Sequence, residues 1–360
     1  MFLHILGSNS LFVKEFYKML SQRFDKNEHV FMGHYPDEAE YAKLDGCQIV
    51  QSRSIKMPMY LYKSDYIIVH GLFNKMVILA LFIQPWLLKK CNWIVYGADI
   101  YSHRKENKSF SEKILEYMKQ RIAPKIPYIS TTCDGDWKLV QEWYGVKGKK
   151  LKATYPLAGC NSELVSKIRN SQKDSEHIHI LVGNSATITN HHKDSLDMLA
   201  KFKHENICIH MPLNYGDPGY QAYAKEVIAY AENIFGKDKV FPLTERMNGN
   251  DYLRYLNQMD VCLFNNDRQQ GMGNITQAML LGAKIYIRQG TTMWDHYRSL
   301  GCDLHDIAEI SSFENIVQLV SEDDAQKQQN INAAAARQDM DLKIHYWTIL
   351  FNTMKGKSNQ

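Results

Sequence analysis

DVCLFNNDRQQGMGNITQAMLLGAKIYI, residues 260–287, is the stretch on which the fold class turns. Val261-Cys262-Leu263-Phe264 is an apolar run of the length of a buried strand. A polar loop follows, then Gly271-Met272-Gly273-Asn274, and residues 275–281 place apolar side chains at helical spacing. Gly282 closes that helix and Lys284–Ile287 reads as the next strand. Strand, glycine-bearing turn, helix and strand make a βαβ unit. The start of its helix gathers amides and the positive end of a dipole. Small residues let a phosphate approach the backbone, and Arg268 adds a planar fork of donors. Glycines at such turns also occur in α/β proteins that bind nothing there, so the rest of the chain must decide.

Working outward, the alternation continues in both directions. The first half predicts strands at 2–6, 30–32, 49–50, 66–70, 93–96 and 128–130, with helices at 10–24, 111–121 and 136–144. After a polar stretch at 161–176 the pattern restarts. Strands are expected at 177–182, 207–211 and 240–243, and helices at 191–202, 220–234, 251–258 and 339–354. Strands alternating with helices predict parallel sheets covered on both faces. The fold class is therefore α/β, with two Rossmann-like domains: 1–160 and 175–338. The last helix, within 339–360, is expected to pack back towards the N-terminal domain.

Ligands of open parallel sheets bind outside the carboxyl ends of the strands. Gly7-Ser8, His70-Gly71, Gly97-Ala98-Asp99, Gly183-Asn184-Ser185 and Gly271 to Asn274 all fall at such ends. If the two domains face a central cleft, these turns line it, which is the arrangement of a GT-B glycosyltransferase.

Composition agrees with a folded protein of two ordinary domains: 360 residues, 45% hydrophobic and 23% charged. Residues 2–6 are too short for a secretory h-region, and the apolar run 76–88 is broken by Gln84 and Pro85 and too short to span a bilayer. Seven scattered cysteines, none at metal-knuckle spacing, predict reduced thiols in a cytoplasmic protein. Net charge is +4, but residues 1–160 hold 23 Lys/Arg against 15 Asp/Glu. A basic first half attracts anionic partners such as membrane surface or pyrophosphate; a solvated lysine-rich surface is the plainer explanation. No helix-turn-helix, zinc knuckle or aromatic single-strand pattern is present, so nucleic acid is not expected.

Three segments carry a family resemblance: WIVYGADIY at 93–101, ILVGNS at 180–185, and RQQGMG at 268–273. They resemble glycosyltransferase family 56, which transfers 4-acetamido-4,6-dideoxygalactose (Fuc4NAc) from its dTDP donor to a polyprenyl-diphosphate-linked saccharide of enterobacterial common antigen. Asn190, His192, Tyr215, Tyr223 and Glu245 also fall at matching places, whereas residues 35–63 depart from the pattern. The resemblance implies a GT-B transferase moving a deoxy-amino sugar from a dTDP- or UDP-sugar in O-antigen, capsule or common-antigen assembly. Its partners would be the nucleotide-sugar donor, a polyprenyl-diphosphate-linked acceptor and the inner face of the cytoplasmic membrane, with no metal or other cofactor.

Within that frame, Gly183, Asn184, Ser185, Asn190, His192, Arg268, Gln269, Gln270, Gly271, Gly273 and Asn274 are the candidate donor and phosphate residues. Tyr215 is placed to stack on the base and Glu245 to accept from the ribose, although a loop aromatic and a helix-start glutamate also have ordinary structural uses. Asp99 is the leading candidate to deprotonate or orient the acceptor hydroxyl, and His70 the second. The competing reading makes Asp99 a tie for its own loop and His70 a hydrogen-bonded strand end. Asp134-Gly135-Asp136 has the form of a metal-binding Asp-x-Asp, but its place at a helix start predicts capping instead. Residues 76–88, followed by Lys89-Lys90, are either a buried helix, the favoured reading, or an interfacial one. A two-domain sugar-nucleotide epimerase shares the architecture and is the rival within enzymes. A nucleotide-binding or nucleic-acid-binding module is the rival outside them.

Overall fold

The structure, a computed structural model, describes residues 1–6, 11–33, 48–51, 56–157 and 160–357. The Gly7-Ser8 turn lies outside the described residues. The chain divides into two units, Met1–Leu157 with Asp339–Gln360, and Ala158–Gln338.

The first unit holds seven parallel strands: β1 (Phe2–Leu6), β2 (His29–Gly33), β3 (Gln48–Gln51), β4 (Tyr66–His70), β5 (Cys91–Val95), β6 (Tyr128–Thr131) and β7 (Lys149–Lys152). Their order is β3-β2-β1-β4-β5-β6-β7. The second unit holds six: β8 (Ile178–Val182), β9 (Ile207–Pro212), β10 (Val240–Leu243), β11 (Val261–Phe264), β12 (Lys284–Ile287) and β13 (His305–Asp306), in the order β10-β9-β8-β11-β12-β13. Both orders grow outward from the first strand and then reverse across it. That puts one switch point between β1 and β4 and another between β8 and β11, where open sheets bind ligands.

Burial explains why most of these strands are legible. Helices cover both faces of each sheet, so the central strands are near-continuous apolar runs. Leu3, Ile5, Ile67 and Val69 feed one core of the first unit, while Phe2, Leu6, Phe31 and Ile68 feed the other. The strands at Tyr66–His70, Val240–Leu243, Val261–Phe264 and Lys284–Ile287 have the bounds the pattern predicts. Strand β7, sequence KKLK, does not announce itself because it is an edge strand in which only Leu151 is buried. The polar stretch after Asn161 is not all linker. Asn161 caps a helix, Ser162–Arg169, by accepting from the amides of Glu163 and Leu164, and Val165 and Ile168 turn inward.

The helix Met340–Met354 belongs to the first unit, where Trp347, Leu350 and Phe351 join the core around Phe2 and Phe16. Trp347 is fully buried, packs 4.4 Å from the Phe16 ring and donates its Nε1–H to the Thr154 carbonyl at 2.8 Å. Truncating it leaves a large cavity and an unpaired carbonyl. Trp347→Ala should therefore lower the stability of this unit by about 3–5 kcal/mol, read as a shift of its urea midpoint.

Candidate active site

At the β8–β11 switch point the polypeptide makes a polar knot from three loops. Gly183 follows β8 with φ +73, and its amide donates to the Leu263 carbonyl at 2.9 Å. A Cβ there would lie 2.5 Å from His192 Nε2 and 2.9 Å from Asn190 Oδ1. Only glycine allows the two side chains to close on the backbone. Asn184, buried, is the centre of the knot. Its amide donates to Asn190 Oδ1 at 2.9 Å and its Nδ2 to the Tyr215 hydroxyl at 3.2 Å, while its Oδ1 accepts from Asn266 Nδ2 at 3.2 Å. Gly271, at φ +65, packs so closely on Asn184 that a Cβ would meet Asn184 Cγ at 2.8 Å.

A second layer ties the same loops. Gln270 Nε2 donates to Ser185 Oγ and Thr187 Oγ1, both at 2.8 Å, and Gln270 Oε1 accepts from Thr189 Oγ1 at 2.7 Å. Asn190 Nδ2 donates to Thr187 Oγ1 at 2.6 Å. His191, at φ 49, is the non-glycine residue with positive φ among the described residues; Asp194 and Asp267, each at 3.2 Å, hold its two ring nitrogens. A left-handed histidine persists only where its surroundings over-determine it.

Within this satisfied framework several buried polar atoms lack a protein partner: His192 Nε2, Asn265 Nδ2, Asn266 Oδ1, Gln269 Oε1 and Asn214 Oδ1. Native interiors pair nearly all such atoms, so their presence on the loops of a switch point makes this edge the candidate site for a polar ligand. His192 is neutral: burial holds its pKa at about 4, and its Nδ1 lies 3.1 Å from the Tyr223 hydroxyl. The helix Met272–Leu280 starts here on Gly271, which has no side chain with which to cap the first amides. Gly273 and Asn274 form its first turn. Arg268 is half-buried in the preceding loop. Tyr215 keeps its hydroxyl on Asn184 while its ring is 43% exposed.

Glu245 is exposed, and its carbonyl, not its carboxylate, is tied, accepting from Asn214 Nδ2 at 3.0 Å. The knot thus brings together every expected donor residue except the Glu245 side chain. One cation escaped the sequence reading. Arg288, directly after β12, donates its Nε–H to Asn265 Oδ1 at 2.9 Å and so sits at the same carboxyl edge. Its position one residue beyond an apolar strand was the available signal.

In the first unit the Asp99 side chain is enclosed. Its carboxylate is 1% exposed and already engaged: Oδ2 accepts from Trp93 Nε1 at 2.8 Å and from the Leu72 amide at 3.0 Å, and Oδ1 from the Tyr96 amide at 3.0 Å. Burial raises its pKa, against the opposing pull of Lys119, whose ammonium donates to the Asp99 carbonyl at 2.8 Å. These bonds fix the turns after β4 and β5, which is the tie reading.

His70 is likewise enclosed. Its Nε2 lies 3.0 Å from His4 Nδ1, and its Nδ1 lies 2.5 Å from the Tyr155 hydroxyl. His4 Nε2 continues the row to His29 Nδ1 at 3.0 Å. No local pattern signals this row, whose members are 25, 66 and 85 residues apart. Tyr96 and Tyr155 are half-buried beside it, with their rings 5.7 Å apart. The aspartates of Asp134-Gly135-Asp136 form the first turn of the helix Asp134–Tyr144, with Cys133 at the N-cap and Asp134 paired to Lys150. Among the described residues no group of three metal-ligating side chains converges.

Two parallel α/β units of this topology define the class: the GT-B glycosyltransferases. Anabaena HepE, in a complex with UDP and glucose, matches with a TM-score of 0.72 at 12% identity over 98% of this chain and 99% of that one. A glycosyltransferase from Rickettsia africae matches at 0.67, with 12% identity and 99% of each chain covered. WaaG, a glycosyltransferase involved in lipopolysaccharide biosynthesis, matches at 0.66, with 9% identity over 99% of this chain and all of that one. Within that class, residues 11–304 match the family described as 4-alpha-L-fucosyltransferase, glycosyl transferase group 56, and the chain belongs to that family. It is a hexosyltransferase.

The histidine row gives the first unit a definite acid response. Burial depresses the pKa of His29 to about 4 and that of His70 to about 3, and holds that of His4 well below the usual histidine value. The unfolded chain binds these protons near pH 6.5 and the folded one only far lower, so stability is lost as pH falls through that window. Tm should be level above pH 7 and fall steadily from about pH 6.5 towards 4, beginning before carboxylates titrate. A flat profile down to pH 5 would contradict the buried neutral row.

Proposed function

We propose that this enzyme transfers a deoxy-amino sugar, Fuc4NAc-like, from a dTDP- or UDP-sugar to a polyprenyl-diphosphate-linked glycan. The setting is assembly of a bacterial surface polysaccharide (O-antigen, capsule or common antigen) at the inner face of the cytoplasmic membrane. The observation that carries the donor half is the set of unpaired buried polar atoms around Asn184 at the β8–β11 switch point. The UDP and glucose held by HepE, of the same fold, support a nucleotide-sugar there. The family description supports a deoxy sugar, and the role of WaaG supports an envelope glycan.

Glycosyl transfer needs the departing diphosphate stabilised as its bond to the anomeric carbon breaks. The Met272–Leu280 helix directs its positive end and first-turn amides to that edge, and Arg268 and Arg288 supply guanidinium groups beside it. Gly183 and Gly271 keep the backbone open to close approach. Asn190 holds the Asn184 amide, Gln270 the hydroxyls of Ser185 and Thr187, and the free faces of His192, Asn266 and Gln269 are left to meet the sugar or phosphate. Tyr215 and the Asn214–Glu245 loop serve the nucleoside. With fixed donors in place, the chemistry requires no divalent ion. In the first unit Asp99 and His70 act by positioning: they hold Tyr96 and Tyr155 at the edge where the acceptor hydroxyl arrives.

A thermal-shift screen tests the donor assignment directly, since a ligand of the native state must raise Tm. UDP or dTDP should raise it. Arg268→Ala should weaken nucleotide affinity roughly 10- to 100-fold, the loss of one to two charge-assisted bonds. No shift with any nucleoside diphosphate would sink the reading. Transfer should persist in EDTA, and abolition restored by Mg²⁺ would replace the metal-free mechanism. Asp99→Asn turns an amide donor towards a buried donor, so it should lower Tm and transfer together while nucleotide binding persists. Loss of transfer with an unchanged Tm would return Asp99 to the role of base.

A further inference from the structure

Ten of the exposed large hydrophobic side chains in the described chain fall between Met59 and Tyr117, all in the first unit. The centre of that concentration is the apolar segment after β4. It forms a helix, Lys75–Ile83, capped by Asn74, and then a 3₁₀ turn, Pro85–Lys90, begun by Pro85. Val77, Ile78, Leu81, Leu87 and Leu88 are buried in the core, as the favoured sequence reading requires. Met76, Leu79, Ile83 and Trp86 are not: Ile83 is 62% exposed and Trp86 57%. The helix Phe110–Ile122 packs alongside, with the Phe82 ring 6.1 Å from the Tyr117 ring, and adds an outward Phe110 at 79% exposure together with Ile114 and Tyr117. Apolar exposure on two neighbouring helices exceeds the scattered single residues normal for a surface.

The charges around this face are predominantly positive. Between Asp65 and Asp99 the chain has no acidic residue, and its only charges are Lys75, Lys89 and Lys90. On the neighbouring helix Glu112 is paired to Lys105 and Glu116 to His103, leaving Glu106 in the preceding loop against Arg104, Lys108 and Lys113. Arg121 lies over the Tyr117 ring at 5.0 Å, its stem covering apolar surface. A second copy of the chain would set this lysine excess against its own like across a two-fold axis. An anionic bilayer meets both features: acyl chains for Ile83, Trp86 and Phe110, and headgroup charge for the lysine rim. Phe73 carries the face to the carboxyl edge of the sheet, where it stacks on Tyr96 at 6.3 Å.

We propose that this face, built from the helices Lys75–Ile83 and Phe110–Ile122 and the intervening 3₁₀ turn, is the surface by which the protein docks on anionic lipid bilayers. The proposal deepens the lipid-linked-acceptor reading, by naming the surface that brings the Tyr96 edge to the membrane, and it rests on that reading only for its purpose.

Flotation of the full chain with phosphatidylcholine vesicles, with and without about 30 mol% phosphatidylglycerol, tests it. The protein should float with the anionic vesicles and release as salt rises from about 0.1 to about 0.5 M. Ile83→Asp with Trp86→Ser should lower vesicle affinity at least tenfold, and Lys75→Glu with Lys89→Glu likewise; these side chains are exposed, so Tm should hold. Wild-type indifference to anionic vesicles, or variants that float like wild type, would overturn the proposal. So would a dimer in solution that the Ile83/Trp86 variant dissociates while vesicles are ignored. Nucleotide thermal shifts on the same variants read the second unit separately. A preserved shift without flotation would remove this surface alone, and absent shifts with flotation would remove the donor reading alone.

Discussion

One side chain, Asn184, closes the second unit's polar edge. Its amide, its Nδ2 and its Oδ1 each reach a different stretch, Asn190, Tyr215 and Asn266, so three loops from three strands share a single buried anchor. Such an anchor is costly unless every bond is made, because an amide group stripped of water and left unpaired loses more than the bond is worth. The glycines at 183 and 271 are consequences of that packing. Each sits at a positive φ where any Cβ would strike the anchor or its neighbours. The helix that begins at Gly271 can present its amides only because Asn184 holds the loop before it in place.

The first unit solves the same problem, a polar edge on an apolar sheet, with charge. Asp99 gathers three donors from the turns after β4 and β5 and leans on Lys119 from the helix Phe110–Ile122. The row His29–His4–His70 then carries hydrogen bonding through the core under Phe16 and Trp347 to the hydroxyl of Tyr155. Neutral imidazoles can do this because each accepts on one nitrogen and donates on the other; protonated ones would repel in a medium that screens poorly. Asp99 and His70, which look like acid–base groups in the sequence, are both tied into this hydrogen-bonded framework.

Helices on one face of that sheet have two obligations. Their inner side completes the core with Val77, Ile78, Leu81 and Ile122, and their outer side leaves Ile83, Trp86, Phe110 and Tyr117 in water. An all-round apolar helix such as KMVILALFI is ordinarily buried on every side. Here Val77, Ile78 and Leu81 pack inward while Met76, Leu79 and Ile83 stay exposed.

Short-range physics made most of the fold legible. Apolar runs bounded by glycine or polar residues marked the strands β4, β8, β11 and β12, and the restart of the pattern after residue 176 indicated a second sheet. The Gly183 and Gly271 turns were readable because a strand end that demands a positive φ leaves a mark in composition. Contacts between residues far apart in sequence leave no such mark. Nothing in KKLK shows that it pairs with β6, and nothing near Asn265 shows that Arg288 will bind it. The engagement of Asp99 by Trp93 and the row of three histidines arise when parallel strands set distant residues side by side. Which face of residues 75–90 meets water was equally beyond a periodicity argument, since every face is apolar. Local pattern decides what each segment becomes; the register and layering of the sheets decide which side chains are left to act.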